Sequence, residues 1–296
     1  MASVPQESDL LFMRKYREIL NKYNIKTSKR LGQNFLVDSS YLDAIVEAAD
    51  LSAEDLVLEI GAGVGNLTMR LSAVAGKVIA VEFDRRMSTA LRGELNAKNV
   101  EIVEDDALKL NYRELLKHYG GGIKVVANLP YNIATEIIFR LLEYKDLFDK
   151  MFLMTQLEVA RRITADVGKK EYGVLALLTN LWADTKIAFV VPRGAFRPAP
   201  KVDSALVRFA LLPQPKVHVD DESLYKKVVK AAFAQRRKKL VNSFLSSSLE
   251  LDKSSVEIWL KAAGVDKERR AEEVTMEEFA RLSNTLFSFM GSSAKK

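Results

Sequence analysis

The chain has 296 residues, of which 48% are hydrophobic and 28% are charged. A chain of this length can bury one full α/β core and still form a small second domain. Cysteine is absent and only two histidines occur, so disulfides and thiol nucleophiles are excluded and no metal site is predicted. The net charge of +6 fits an anionic partner, although bulk charge alone does not identify one.

The N-terminal region does not have the character of a targeting segment. Residues 1–9 contain two acids, Glu7 and Asp9, and no basic residue, which is a poor organelle transit signature. The stretch from Leu10 to Tyr23 is charged and predicts a helix. No apolar run approaches the roughly 18 residues that a membrane-spanning helix needs. We therefore expect a cytoplasmic protein without a membrane partner.

Short apolar runs alternate with helix-length segments, which predicts an α/β fold with a parallel sheet and crossover helices. The first four predicted strands are Leu56 to Ile60, Lys77 to Val81, Val100 to Val103 and Ile123 to Val126. Three more runs extend the sheet: Met151 to Met154, Ile187 to Val191 and Ala205 to Leu212. The Pro-rich stretch from Arg193 to Lys201 is predicted to be an ordered loop, because prolines remove backbone donors and restrict the residues before them.

The strand signal stops near Asp220, and apolar residues then recur at helical spacing. We predict three regions on this basis: a basic N-terminal extension over residues 1–30, a sheet domain over 31–213, and a small helical domain over 214–296. The stretch Pro213-Gln-Pro215 is the predicted linker between the last two.

A glycine-rich turn, Glu59-Ile-Gly61-Ala-Gly63-Val-Gly65, follows the first predicted strand. Glycines there let the backbone approach a nucleotide-like group at a helix N-terminus, although tight turns also favour glycine. Glu82 ends the second strand about 20 residues later, where a carboxylate can accept both hydroxyl hydrogens of a ribose. Asp106 follows the third strand and could accept the amine of an adenine. These features predict a nucleotide cofactor and also fit a nicotinamide dehydrogenase.

The sequence Asn128-Leu129-Pro130-Tyr131 follows the fourth predicted strand, where open α/β sheets place reacting groups. An amine conjugated to a purine ring is a poor nucleophile, so acceptors that hold both N–H bonds assist it. Asn128 Oδ1 and the Leu129 carbonyl can accept these bonds. Pro130 would fix the backbone that aims them, and the Tyr131 ring offers a stacking face for the base. Attack on a sulfonium methyl group then needs mainly alignment and desolvation, without a strong general base.

Several separated motifs follow one another along the chain: Leu31-Gly-Gln-Asn34-Phe35-Leu36, Glu59 to Gly65, Val81-Glu82-Phe83-Asp84, Asp105-Asp106-Ala107, Asn128 to Ile133, Phe196 to Ser204 and Phe233 to Lys239. In these motifs the chain resembles the ribosomal RNA adenine dimethyltransferases, from about Lys29 to the C-terminal helices. The resemblance implies a Rossmann-like class I methyltransferase sheet with a small all-helical C-terminal domain. It also implies S-adenosylmethionine as the cofactor and N6 of adenine as the methylated atom.

The resemblance assigns roles to individual residues. The S-adenosylmethionine site would contain Asn34, Leu36, Gly61, Glu82, Asp106 and Asn128, to which the glycine-rich turn adds Gly63. Phe196 of the Pro-rich loop would lie on the second face of the target adenine. The predicted reacting set is therefore Asn128, Leu129, Pro130, Tyr131 and Phe196.

Two motifs are more similar to the small-subunit enzymes than to the erythromycin-resistance enzymes of the large subunit: Lys201 to Ser204 and Gln235 to Lys239. We therefore expect a monomer that dimethylates two adjacent adenosines in small-subunit ribosomal RNA, on the free RNA or an immature subunit. The alternatives are a large-subunit enzyme of the resistance type and a non-catalytic assembly or transcription factor on the same fold. Leu129 and the Phe196 loop disfavour a DNA-adenine or protein-glutamine methyltransferase, whose motif is similar to Asn-Pro-Pro-Tyr.

Basic residues cluster in two segments. The first contains Arg14, Lys15, Arg17, Lys22, Lys26, Lys29 and Arg30, and the second contains Arg236, Arg237, Lys238 and Lys239. Charge runs are usually solvated faces, but two that flank one predicted adenine pocket favour phosphate contacts, and we assign RNA binding to the second. Phosphate contacts give affinity and register, so base choice must come from the shape of a folded RNA and a flipped adenine.

Overall fold

The computed structural model describes residues 7–25, 32–235 and 237–293. Its strands, in chain order, are β1 (Phe35–Leu36), β2 (Leu56–Ile60), β3 (Lys77–Glu82), β4 (Val100–Glu104), β5 (Ile123–Asn128), β6 (Phe148–Gln156), β7 (Ala183–Val191), β8 (Phe196–Arg197) and β9 (Ser204–Leu211). The helices are α1 (Glu7–Lys22), α2 (Ser39–Ala49), α3 (Thr68–Val74), α4 (Arg85–Glu94), α5 (Tyr112–Leu115), α6 (Ala134–Leu142), α7 (Leu157–Ile163), α8 (Val174–Asn180), α9 (Glu222–Phe233), α10 (Leu240–Leu245), α11 (Lys253–Ala262) and α12 (Met276–Ser293).

Seven strands form one sheet in the order β4-β3-β2-β5-β6-β9-β7. Strands β2 to β6 pair in parallel, and β9 pairs antiparallel with β6. The central strands are apolar on both faces, as expected where helices cover a parallel sheet on both sides. The sequence prediction of this sheet is confirmed, with strand ends that differ by a few residues. The chain extends the sheet in one direction from β2 to β4 and in the other direction from β5 onward, so the strand order reverses between β2 and β5. In open α/β sheets, ligands bind beside such a reversal, at the carboxyl ends of the strands.

The chain divides into two compact units. The sheet unit contains Met1–Ala160 and Asp184–Leu211, and the helical unit contains Arg161–Ala183 and Leu212–Lys296. The predicted boundaries differ from this division in two places. The described part of the predicted extension, residues 7–25, belongs to the sheet unit, and residues 161–183, predicted within the sheet domain, belong to the helical unit.

Both differences have a physical cause. In the sheet unit, α1 is amphipathic, and its residues Tyr16 and Ile19 are buried in one cluster with Val64 and Met87. In the helical unit, α8 is apolar on all sides, so other elements have to bury every face of this helix. Just before α8, the Tyr172 hydroxyl donates to the carbonyl of Val274 at 3.0 Å, which joins this segment to the C-terminal helices.

The helical unit has its own core, as the helical spacing after Asp220 predicts. Helix α9 begins at Asp221, whose side chain accepts a hydrogen bond from the Leu224 backbone at 2.7 Å. Aromatic residues fill the interior, and the rings of Phe244 and Trp259 lie 4.6 Å apart. The Trp259 indole donates to the carbonyl of Leu282 at 2.8 Å, so the buried N–H group is satisfied.

The Pro-rich loop contains a short strand that the sequence did not predict. Arg193–Ala195 form a 3-10 turn, and β8 follows it directly. Strand β8 pairs antiparallel with β1, with Phe35 opposite Arg197 and Leu36 opposite Phe196. This two-stranded sheet joins the Pro-rich loop to the segment that contains Asn34 and Leu36.

In the part of the chain that the structure describes, no helix combines the length and apolar character needed to cross a membrane.

Candidate cofactor and substrate site

A cavity of about 300 Å³ opens at the carboxyl ends of β2, β3 and β5. This volume is at the lower end of the range for small-molecule sites, roughly 300–1,000 Å³. Most of the predicted cofactor and reacting residues line it: Asn34, Gly61, Gly63, Glu82, Asp106, Asn128, Leu129 and Pro130. The structure therefore brings together residues that are up to 96 positions apart in the sequence, from Asn34 to Pro130.

The glycine-rich turn forms one wall of the cavity. Gly61 and Gly63 adopt positive φ angles of 74° and 59°, which side-chain-bearing residues rarely adopt. A Cβ atom on Gly63 would lie 2.8 Å from Cε1 of Phe35. The turn thus requires glycine at position 63 both for its backbone conformation and for the close packing of Phe35.

Glu82 is held rigidly at the end of β3. Its Oε2 accepts a hydrogen bond from the Gly63 backbone and its Oε1 accepts one from the Asp84 backbone, both at 2.7 Å. The side chain is only 7% exposed, and burial raises the pKa of its carboxyl, while the backbone donors act in the opposite direction. Each oxygen keeps a second lone pair, so the carboxylate can accept two further hydroxyl hydrogens from a ligand in the cavity.

Asp106 lies in the turn after β4. Its Oδ1 caps this turn by accepting from the Leu108 backbone at 3.0 Å, and Lys109 Nζ lies 3.7 Å from Oδ2. Phe83 at the cavity wall is 64% exposed, which is unusual for a large aromatic side chain. Phe83 offers a flat apolar surface beside Glu82 and was not among the predicted site residues. The signal that could have identified it is an aromatic residue directly after the ribose-binding acid.

Asn128 is oriented by the segment before β1. Its Nδ2 donates to the Asn34 carbonyl at 3.1 Å, and the Asn34 side chain donates in turn to the carbonyl of Gly32. Asn128 Oδ1 is buried and has no hydrogen-bond partner within the described chain. An unpaired buried acceptor costs free energy, so its place beside the cavity indicates that a ligand donor completes it.

Three predicted site residues do not line the cavity: Leu36, Tyr131 and Phe196. Leu36 and Phe196 are buried in the core of the sheet unit. Tyr131 hydrogen-bonds to Ser204 through its hydroxyl, and its ring packs edge-on against Phe196 with the centroids 6.2 Å apart. The stacking position expected for Phe196 is thus not occupied in this structure, because the pairing of β1 with β8 holds that side chain inside.

Glu59 is a second buried acid, at the start of the glycine-rich motif. It does not line the cavity, and its Oε2 has no hydrogen-bond partner among the described residues. Burial is the main cause that raises the pKa of Glu59 to about 8, and the nearby charge of Glu82 acts in the same direction. The hydroxyl of Thr68 lowers this pKa without cancelling the effect of burial, so the folded structure favours the protonated carboxyl.

The basic segment of the helical unit has two kinds of side chain. Arg237 and Lys238 are exposed and form no ion pair with the described residues, whereas Lys239 is ion-paired with Glu268. Arg236 lies outside the described residues. Two further basic residues, Lys227 and Lys230, are exposed on α9 and were not predicted as RNA-binding residues from the sequence. We call Lys227, Lys230, Arg237 and Lys238 the basic face.

The basic residues of the N-terminal segment are used differently. Arg14 pairs with Glu18 one turn along α1, and Lys22 pairs with Glu94 at 2.7 Å. Lys26, Lys29 and Arg30 lie outside the described residues, as does the side chain of Lys15. Of the described residues in this segment, Arg17 is exposed without an ion pair. The segment thus contributes fewer free charges than its composition suggests.

Within residues 7–25, 32–235 and 237–293, no group of three or more His, Asp or Glu side chains could hold a metal ion.

The fold is shared with solved methyltransferase structures. A dimethyladenosine transferase from Plasmodium falciparum has a TM-score of 0.65 and 27% sequence identity, with 86% of this chain and 96% of that chain covered. The 23S rRNA methyltransferase ErmE has a TM-score of 0.64 and 30% identity, with 86% of this chain and all of that chain covered. The sheet with its carboxyl-end cavity is therefore that of a class I methyltransferase.

Sequence comparison narrows the class. The family model described as ribosomal RNA adenine dimethylase matches residues 24–287. A protein named ribosomal RNA small subunit methyltransferase A from Magnetococcus marinus is 46% identical, with 90% of this chain and 94% of that protein covered. A protein of the same name from Geobacter sulfurreducens is 44% identical, with 90% and 98% covered. The chain belongs to the ribosomal RNA adenine dimethylase family.

Proposed function

We propose that this protein transfers methyl groups from S-adenosylmethionine to N6 of adenines in small-subunit ribosomal RNA. Dimethylation of two adjacent adenosines during ribosome biogenesis is the expected outcome. The observation that carries the proposal is the buried, unpaired Oδ1 of Asn128 beside a cavity that also contains Glu82. The names of the relatives from Magnetococcus marinus and Geobacter sulfurreducens support the small subunit as the substrate.

The residues present fit an adenosine-containing cofactor. Glu82 has free acceptor lone pairs for two ribose hydroxyls, and Asp106 can accept from an adenine amine. Phe83 offers a stacking surface between them. The positive-φ glycines let the backbone approach the ligand closely. When bound, S-adenosylmethionine supplies an electrophilic methyl group on a sulfonium sulfur.

The protein's contribution to the transfer is orientation. Asn128 Oδ1 and the Leu129 carbonyl would accept the two N–H bonds of the target amine, which draws its lone pair out of conjugation with the ring. Pro130 limits the backbone freedom of this pair. Transfer then requires mainly alignment of the amine with the methyl group, and the amine proton leaves to water or a nearby acceptor afterwards. Contacts of Tyr131 and Phe196 with the base remain a prediction and require Phe196 to leave its buried position.

The basic face of the helical unit is the proposed RNA-contacting surface, together with Arg236. Lysine and arginine side chains without an acidic partner are free to neutralise phosphates and release counterions. Because Lys239 is engaged by Glu268, we expect it to contribute less than its neighbours. We expect the protein to act as a monomer, and the ribosomal substrate supports action in the cytoplasm.

Two alternatives are tested by the same experiment. A resistance-type enzyme would methylate large subunits, and a non-catalytic assembly factor would methylate neither subunit. Purified protein is incubated with radiolabelled S-adenosylmethionine and with small subunits, large subunits or duplex DNA that lack the modification. We expect label in the small subunits alone, and mass spectrometry of the labelled fragment to detect N6,N6-dimethyladenosine. Label in large subunits or DNA, or no label at all, would contradict the proposal.

A further inference from the structure

We propose that helix α1 is a positioning element of the cofactor site and that it acts through Tyr16. The inference rests on the proposed function, because it concerns the same cavity. Tyr16 does not line the cavity, yet it contacts both strands of the small sheet that lies beside it.

The first contact connects Tyr16 to the cavity wall. Tyr16 is only 4% exposed, and its ring centroid lies 5.6 Å from that of Phe35. Phe35 lines the cavity and packs directly over Gly63, where no Cβ atom would fit. Tyr16, Phe35 and the Gly63 backbone are thus connected by direct packing contacts, with the two rings tilted by 48°. A shift of Phe35 would therefore change the wall of the cavity at the glycine-rich turn.

The second contact reaches the Pro-rich loop. The Tyr16 hydroxyl donates a long hydrogen bond of 3.4 Å to the carbonyl of Arg197, the residue that faces Phe35 across the β1–β8 pair. The Val37 backbone also donates to the Ala195 carbonyl at 2.9 Å, which extends this pairing. Tyr16 therefore lies against the strand that precedes the cofactor site and against the strand that contains Phe196.

Helix α1 has an independent attachment at its other end. Lys22 pairs with Glu94 of α4, and the Tyr23 hydroxyl packs against Gly93 so closely that a Cβ atom there would lie 2.0 Å away. These two contacts are made with Glu94 and Gly93 of α4, whereas those of Tyr16 are made with Phe35 and Arg197, although Tyr23 and Phe35 pack against one shared apolar cluster. Tyr23 directly follows α1 and is aromatic like Tyr16, but it packs on α4 and not on the small sheet. It is therefore a matched control for Tyr16.

The test uses three variants of the full chain: Tyr16→Leu, Tyr16→Phe and Tyr23→Leu. Calorimetry gives the dissociation constant of S-adenosylhomocysteine, and a thermal scan gives Tm. We expect Tyr16→Leu to raise the dissociation constant about tenfold, which corresponds to a loss of about 1.4 kcal/mol of binding free energy, because the wall residue Phe35 loses the ring that packs on it. Tyr16→Phe keeps the ring on Phe35 and should keep wild-type affinity. Tyr23→Leu should lower Tm without changing affinity.

Steady-state kinetics give a second measurement, the KM values for the cofactor and for RNA. A purely structural role of Tyr16 would not change one of these values and leave the other unchanged. For Tyr16→Leu the KM for the cofactor should rise while the KM for RNA stays at the wild-type value. Equal loss of cofactor affinity in Tyr16→Leu and Tyr23→Leu would overturn the proposal, because α1 would then act only as a stabilising cap. Unchanged affinity in Tyr16→Leu would also overturn it. Wild-type protein that binds S-adenosylhomocysteine but methylates no subunit would contradict the proposed function instead.

Discussion

The side-chain amide of Asn128 is oriented by the backbone carbonyl of Asn34, which accepts its Nδ2 hydrogen at 3.1 Å. This bond uses the nitrogen, and the oxygen of the same amide is left as a buried acceptor without a partner among the described residues. The acceptor lies only two residues from Leu36, in the segment that pairs with the Pro-rich loop. One hydrogen bond thus connects Asn34, predicted to contact the cofactor, with Asn128, predicted to contact the target base. Its loss should lower the turnover rate.

Replacing Asn128 by Ala should reduce turnover far more than RNA affinity. Loss of a single oriented acceptor in a desolvated site costs roughly 100- to 1,000-fold in kcat. In the proposed function the RNA is bound mainly through phosphate contacts of the basic face, so its dissociation constant should stay nearly the same. Single-turnover rates and filter binding on the same preparation measure both quantities. Equal losses in rate and binding would mean that Asn128 only positions the RNA.

Replacing Glu82 by Ala should weaken binding of S-adenosylhomocysteine by about tenfold or more, because each charge-assisted hydrogen bond contributes about 1.5 to 3 kcal/mol. The variant also loses the acceptor for the Gly63 and Asp84 backbones, so Tm should fall as well. Glu104→Ala is the control, since Glu104 ends the neighbouring strand opposite Glu82 but does not line the cavity. Calorimetry that gives equal dissociation constants for both variants would reject the assignment.

Replacing Glu59 by Gln should flatten the dependence of folding stability on pH. The pKa of Glu59 is about 8 in the folded protein, against an ordinary value of 4.5, so the folded state binds a proton that the unfolded state releases. The free energy of unfolding must therefore decrease as pH rises from about 4.5 to about 8. Urea titrations at pH 6 and pH 8.5 should give a smaller decrease for the variant than for the wild type. A decrease of the same size would mean that Glu59 is ionised in the folded protein.

Neutralising the basic face should reduce the salt dependence of RNA binding. Replacement of Lys227, Lys230, Arg237 and Lys238 by Gln should lower the slope of log affinity against log salt by roughly 0.7 to 0.9 per lost phosphate contact. Cofactor affinity should stay unchanged. Lys253→Gln with Lys261→Gln on α11 is the control, because both lysines are exposed on another helix of the same unit. An unchanged slope in the first variant would reject RNA contact by this face.

The cofactor half of the site was predictable because strand ends define it. Gly61, Glu82, Asp106 and Asn128 lie at or just after the carboxyl ends of parallel strands, so their convergence follows from the strand pattern. The burial of Phe196 did not follow, since a motif gives the residue type but not whether a loop pairs with another strand. The ion pair of Lys239 was not predictable either, because its partner Glu268 lies 29 residues away and no local pattern predicts that pair.

The helical unit consists of two separate stretches of the sequence, which makes it difficult to exchange this unit between related proteins. Residues 161–183 belong to it although Asp184–Leu211 return to the sheet unit before the C-terminal helices begin. A fragment starting at residue 212 would lack α8 and the Tyr172 hydroxyl that bonds to Val274, so we expect it to aggregate rather than fold. Recombination with a single crossover near residue 212 would separate co-adapted surfaces of one core. Grafting of a foreign helical unit therefore has to carry two segments, one that replaces residues 161–183 and one that replaces the C-terminal helices.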